Sequence, residues 1–240
     1  MSKVGIVIPF YKNGDQLKRC KDAISKQTTK IELGDVIVID NSIDNTGFTK
    51  AVNKGVSKLI DSGNYDYAIV LNQDCYLRES AIENMVKFMD EHENCFIGGI
   101  KQIDYNNDDR IIHGGCTRAF PNGLHMGGSV KDGHCNESMK VSWVNGACFI
   151  VRLDDVKRVG LMDENYFLIC SDSDWCYTAR ARGFDIYYIA EAECTHEIGI
   201  SQKQNRIEFN NRMMADTLYF RDKWIGNGLY RELSIEVFGG

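Results

Sequence analysis

Four short apolar runs, each separated from the next by a stretch of helical periodicity, constrain this chain more than any other feature. They are VGIVIPF (Val4 to Phe10), the core of DVIVIDNS (Asp35 to Ser42), YAIVL (Tyr67 to Leu71) and CFIGGI (Cys95 to Ile100). A continuous apolar run of this length has no face to offer water, so each reads as a strand covered on both sides. Between them Leu17, Cys20 and Ile24 recur at helical spacing, and Thr46 to Leu59 is a second predicted helix. Ser80 to His92 is the clearest helix: Ile82, Met85, Val86 and Met89 share one face, and Ser80 with Glu83 has capping-box spacing. The β-α-β-α-β-α-β order predicts a parallel, doubly wound sheet.

Ligands of such sheets sit outside the carboxyl ends of the strands. The polar residues that end successive runs are Tyr11, then Asp40 with Asn41, then Asn72, Gln73 and Asp74, and they converge on one crevice. Asn and Asp also close turns by bonding their own backbone, so each position alone has a purely local explanation.

The pattern breaks from Asp104 to Lys140 into Gly, Asn, Asp and His, and irregular segments of that length are usually functional or mobile. GACFIVR (Gly146 to Arg152) then predicts a strand, Asp154 to Arg158 a helix, Asp172 to Arg182 a helix stopped by Gly183, and FDIYYIA a strand. Gln202 to Lys223 reads as one or two helices.

Composition excludes several classes. The 240 residues are 43% hydrophobic and 26% charged, enough for a sizeable core, and the net charge of −6 argues against a phosphate-neutralising grip on nucleic acid. The first apolar run is too short for a signal peptide or a membrane span. Nine cysteines with no CxxC pair argue against structural zinc and read as small buried hydrophobes in a reducing, cytoplasmic setting. No GxGxxG follows a strand, which speaks against a dinucleotide oxidoreductase. IPFYKNGD offers one Gly and one Lys where a nucleotidyltransferase would carry a Gly-rich basic loop.

The succession VIPFYK, VIDNSIDNT, NKG, LNQD, VNGACFIVR, VGLMDENYFLICSDSDWCYTARARG and THEIGIS spans roughly residues 4 to 201. In that order it resembles the family-two glycosyltransferases of GT-A fold, in their rhamnosyltransferase-like branch. The resemblance implies an α/β fold with a mostly parallel, Rossmann-like central sheet flanked by helices, a smaller acceptor-side region and C-terminal helices. It implies a nucleotide-sugar-binding half over 1–103, an acceptor-binding and catalytic half of the same domain over 104–201, and a helical tail over 202–240. The implied activity is inverting hexosyl transfer from a UDP- or dTDP-sugar, rhamnose among them, to a hydroxyl of a glycan or glycolipid in polysaccharide biosynthesis. No nucleic-acid partner is implied, and the tail allows peripheral contact at the inner face of a membrane.

Carried over residue by residue, Pro9, Phe10, Tyr11, Asp40, Asn53, Asn72 and Gln73 face the donor, with Asp40 reading the base and Asn53 leading an Asn-x-Gly that ends on Gly55. Asp74 and His196 take a divalent metal, Mn or Mg; Asp172 is the catalytic base; Trp143 and Asn145 lie near the acceptor. These residue types suit the chemistry. A cation neutralises a diphosphate leaving group, a carboxylate takes the acceptor proton, and held groups align the anomeric carbon.

Each assignment has a plainer counterpart: an Asx turn at Asp74, a hydrogen-bonded core histidine at His196, a helix cap at Asp172, a strand-end turn at Asp40 and a core Trp143. His113 reads as a loop residue or a donor contact. Arg118, His125 and His134 could order over a donor. Arg206 and Arg212 read as a solvated helix face before they read as phosphate ligands. Two departures stand out. NQD keeps only the last carboxylate of the family's DxD motif, and Ser171 replaces the Glu that precedes the base. Asp174, two positions on, would face elsewhere on a helix. These departures leave open a non-catalytic nucleotide- or carbohydrate-binding module.

Overall fold

The computed structural model describes residues 2–30, 32–116, 125–198 and 206–225. Strand β1 (Val4–Phe10) lies in parallel between β2 (Val36–Asp40) and β3 (Tyr67–Leu71). Helices α1 (Gly14–Ser25) and α2 (Phe48–Ser62) make the crossovers. Asn13 caps α1 by accepting the Gln16 N–H at 3.2 Å. Side chains alternate across β1: Val7 packs into one apolar layer with Val52 and Val56 of α2, and Ile6 and Ile8 pack into the other with Cys20 and Ile24 of α1. A Cβ on Gly55 would lie 2.2 Å from Val7 Cγ1, so glycine there lets α2 seat directly on β1.

After β3 the chain turns through Asn72, Gln73 and Asp74 into the short β4 (Cys75–Leu77), then α3 (Ala81–Glu91) and β5 (Cys95–Asp104). The capping box is not made: Ser80 forms no side-chain cap, and Glu83 instead accepts the Thr28 hydroxyl at 2.7 Å from the loop after α1. The segment expected to be irregular is partly strand. An Asx turn at Asp104, which accepts the Asn106 N–H at 2.9 Å, folds β5 back into β6 (Asn107–His113). Two short strands follow, β7 (Gly128–Ser129) on β6 and β8 (Met139–Lys140) on the later β10.

Then come β9 (Cys148–Arg152), α4 (Leu153–Val159), α5 (Ser171–Arg180), β10 (Asp185–His196) and α6 (Arg206–Trp224). The sheet order is β2-β1-β3-β9-β5-β10-β4. The sheet is mostly parallel, as expected, with exceptions at β9, which is antiparallel to both β3 and β5, and at β4, antiparallel to β10. The other five strands of that path point the same way. The cause is connectivity: β9 enters from the 104–147 segment and not over a crossover helix, so nothing turns it into the common direction. The result is a mixed α/β fold with a central sheet between helices. All nine cysteines are free, eight of them buried. No helix among the described residues is long and apolar enough to cross a membrane.

Candidate active site

A cleft of about 300 Å³ opens at the carboxyl ends of β1, β2 and β3. Pro9, Phe10 and Tyr11 form one wall, Asn41, Asn45, Gly47 and Phe48 of the β2–α2 loop a second, and Asn72, Gln73 and Asp74 the floor between them. Phe167, Leu168 and the α6 residues Phe209 and Arg212 close the far side. Gln73 has a local duty. Its side chain accepts the Tyr11 N–H at 2.6 Å and donates to the Tyr11 carbonyl at 3.3 Å, so it pairs with the β1–α1 loop as a neighbouring strand would.

Asp74, in the turn before β4, meets His196 at the end of β10, the strand with which β4 pairs. His196 Nε2 stands 3.6 Å from Asp74 Oδ1, and that buried oxygen has no hydrogen-bond partner. Burial pushes the Asp74 carboxyl up from its ordinary range, and His196 opposes the shift. An orphaned buried carboxylate oxygen beside an imidazole nitrogen is an oxygen-and-nitrogen set that suits Mn or Mg. Cys75 brings its sulfur within 4.8 Å of the same two atoms.

Asp172 lies in the first turn of α5. Its Oδ2 accepts the Gly146 N–H at 2.6 Å and its Oδ1 the Ser173 N–H at 2.9 Å. Both donors favour the charged form, yet burial prevails and raises the carboxyl above its usual range. A Cβ on Gly146 would come within 3.3 Å of Asp172 Oδ2 and 3.0 Å of the Phe48 ring, which lines the cleft. Asp172 thus sits one glycine away from the cleft wall. Asp174 faces the other way and accepts from Tyr166 Oη at 3.0 Å, Trp224 Nε1 at 2.6 Å and Lys223 Nζ at 3.0 Å.

The model of the family described as glycosyltransferase like family 2 matches residues 19–214. The chain belongs to that family. Over 155 residues it is 28% identical to a dTDP-rhamnosyl transferase, RfbF of Shigella flexneri, covering 65% of this chain and 50% of the relative. It is 23% identical to the rhamnosyltransferase WbbL of Escherichia coli, over 60% of this chain and 56% of that one. It is 21% identical to the low-salt glycan biosynthesis hexosyltransferase Agl10 of Haloferax volcanii, over 100% of this chain and 83% of the relative. The chain therefore spans about half the length of the two rhamnosyltransferases. Among solved structures, GalNAc-T7 with UDP, GalNAc and Mn2+ superposes with a TM-score of 0.62 at 16% identity, over 82% of this chain and 44% of that one. A197 from STIV gives 0.55 at 10%, over 82% and 86%. These neighbours establish the GT-A fold.

On this family-two frame, Pro9, Phe10, Tyr11, Asn72, Gln73 and Asp74 share the cleft. Asp40 does not line it. The exposed Asp40 makes the strand-end turn, accepting the Ser42 N–H at 2.8 Å, and hydrogen bonds from Ser42 hold its carboxyl below the usual range. Asn41 next to it does line the cleft. Asn53 is not brought there either: its buried amide donates to the Met162 carbonyl at 2.8 Å and accepts the Met162 N–H at 3.0 Å, clamping α2 to the loop after α4. Trp143 lies in the core. Asn145 is engaged by Gln102 and His113.

His113 and His125 face each other through their Nδ1 atoms at 2.7 Å, with Cys116 nearby. The Asn145 N–H points at His113 Nε2 at 3.4 Å, so the proton of that ring belongs on Nδ1, and the pair reads as a hydrogen bond and not a chelate. His134 packs locally, accepting the Ser129 N–H at 3.1 Å. Arg118 and the side chain of Arg206 lie outside the described residues. Ser171 is fully buried and its hydroxyl has no partner.

Arg212 is the main correction. It lines the cleft and stacks on Phe167, 3.7 Å from the ring centroid, instead of facing open solvent. Asp216, one turn further along α6, accepts the N–H groups of Phe167, Leu168 and Ile169 and ties that wall to the helix. The only trace of this in the sequence is an Arg and an Asp four apart in a helical tail; the segment they close on lies about fifty residues away.

Proposed function

We propose that the protein is an inverting glycosyltransferase moving a sugar, rhamnose among the candidates, from a UDP- or dTDP-linked donor to a glycan or glycolipid hydroxyl. The observation that carries this reading is Asp172: a carboxylate raised by burial, held by two backbone N–H groups, one glycine from the cleft. A raised carboxyl is a better proton acceptor at neutral pH than an ordinary one, which is what deprotonation of an attacking hydroxyl requires. Inversion follows if that base and the leaving group occupy opposite faces of the sugar.

The aromatic side chains Phe10, Tyr11, Phe48 and Phe167 give the cleft flat surfaces for a nucleobase, and Asn41 and Asn45 offer it hydrogen bonds. Asp74 and His196 would hold a divalent cation, which would stabilise the diphosphate as it leaves. Arg212 supplies a fixed positive charge on the opposite wall. The relatives support a deoxyhexosyl or hexosyl donor, since two of them are rhamnosyltransferases and one a hexosyltransferase.

The test is a thermal-shift panel of UDP, dTDP, GDP and CMP, each with and without Mn2+, on wild type and Asp74→Ala. A ligand at a hundred times its dissociation constant adds roughly 2.7 kcal/mol. Stabilisation by UDP or dTDP only with metal, lost in Asp74→Ala, is the expected result. No shift with any nucleotide would instead favour a binding module for carbohydrate alone. The stereochemistry is read by NMR of the product's anomeric proton.

A further inference from the structure

The nitrogen of His196 that faces Asp74 is available as a ligand only if the ring's proton is on the other nitrogen. We infer that Gln102, itself oriented by Asn145, locks His196 in the Nδ1–H tautomer and presents its Nε2 lone pair to the cation shared with Asp74. This rests on the metal reading above and adds two positioning residues to it.

The chain of assignment starts from a group with no choice. The Ala147 N–H is a backbone donor, and it donates to Asn145 Oδ1 at 3.2 Å, which fixes which end of that amide is oxygen. The same oxygen accepts Gln102 Nε2, and Asn145 Nδ2 donates back to Gln102 Oε1 at 3.2 Å. Both ends of the Gln102 amide are thereby identified. It is the oxygen, at 3.0 Å, that faces His196 Nδ1. An acceptor opposite a ring nitrogen demands a proton on it, so Nδ1 carries the hydrogen and the neutral ring keeps its lone pair on Nε2.

That lone pair points across 3.6 Å to the partnerless Asp74 oxygen. Two acceptors in that relation repel unless a positive charge lies between them. At 3.6 Å the two cannot share a hydrogen-bonded proton; a doubly protonated ring would pair with Asp74 as an ion at that distance, and metal binding is the case in which the ring is neutral. Gln102 is fully buried on β5, where an amide is costly unless every end is bonded, and here every end is. The lock is built from three separate elements: β5 carries Gln102, β10 carries His196, and the turn before β9 carries Asn145 and Ala147.

The experiment has a readout that does not depend on turnover. Long-range 1H–15N spectra of metal-free wild type report the His196 tautomer, and Mn2+ binding is followed by electron paramagnetic resonance. The expected result is an Nδ1–H ring in wild type and a ten- to hundredfold weaker Mn2+ affinity in Gln102→Leu, the usual effect of losing a group that orients a metal-binding histidine. Gln102→Glu, which keeps an acceptor toward His196, should recover most of that affinity, and Asn145→Leu, which frees Gln102 to turn over, should lose it. An Nε2–H ring in wild type overturns the inference, even if no variant folds. Unchanged Mn2+ affinity in Gln102→Leu overturns it too. A wild type with an Nδ1–H ring that binds no Mn2+ upholds the lock and overturns the metal reading it rests on.

Discussion

The two sides of the first turn of α5 carry the same residue type and put it to opposite uses. On the cleft side, Asp172 is held by the backbone N–H groups of Gly146 and Ser173, and among the described residues no cation pairs with it. On the far side, Asp174 is surrounded by Tyr166, Trp224 and the ammonium of Lys223, and through the last two it fastens the end of α6. Burial raises both carboxyls, but Lys223 opposes the shift only at Asp174. A buried carboxylate with a cation and two further donors is a structural joint. One held only by fixed dipoles can still take up and give back a proton.

The largest effect expected from this difference is on turnover. Asp172→Asn keeps the shape and an acceptor for Gly146 but removes the base, so transfer should fall by a factor of about 10²–10⁴, the usual contribution of a positioned base. Nucleotide affinity, measured by calorimetry with Mn2+, should stay within about twofold, since the cleft walls are untouched. A variant that turns over at the wild-type rate would reduce Asp172 to a helix cap and erase the contrast.

Next in size is the structural side. Asp174→Ala strands Trp224 Nε1 and the Tyr166 hydroxyl and takes one of its carboxylates from Lys223, whose contact with Asp163 stays. Breaking a buried pair in this way costs about 3–5 kcal/mol, read by urea denaturation. α6 also brings Phe209 and Arg212 to the cleft, so the loss should spread to donor binding. If Asp174→Ala unfolds like wild type, the joint is not where α6 is held.

Arg212→Gln separates the wall from the joint. It removes a positive charge from the cleft wall but leaves Asp174 and Asp216 in place, so nucleotide diphosphates should bind about tenfold more weakly, a loss of ~1.4 kcal/mol. The corresponding nucleosides should be unaffected. Equal losses for nucleoside and diphosphate would assign Arg212 to packing on Phe167.

The strand-end side of the cleft was legible because its residues are local: each polar group follows directly on an apolar run, and the sheet alone makes them converge. Tyr11, Asn41 and Asn72 to Asp74 were visible in that way, while Pro9 came from the resemblance. The closing side was not. Arg212 and Phe209 reach the cleft because α6 is docked by pairings with distant segments, those of Asp216 and Asp174 among them, and such pairings leave no periodic signal. Asn145 was placed near the acceptor by its motif, but its amide is committed inward to Gln102, which only the fold reveals. Asn53 and Asp40 are motif positions whose contacts in the fold are with packing and a turn. The antiparallel β9 was hidden too, since an apolar run states that a strand is buried and not which way it runs.

The smallest expected effect, and the most discriminating, is on stability. The Asp172 carboxyl is raised in the fold, so the native state holds that proton more tightly than the unfolded chain does. Its stabilising contribution is therefore complete below the unfolded carboxylate value, about 3.9, and is lost as pH rises through the folded value. At neutral pH the fold carries a buried charge that asparagine would spare it. Asp172→Asn should then melt higher than wild type at pH 7, by about 2–4 °C for each kcal/mol in a chain of this length, and the gap should close near pH 4. Asp174→Asn should show no such gain at pH 7, because it discards the Lys223 attraction along with the charge. A gain at both positions, or at neither, would mean that the two sides of the turn share one electrostatic environment.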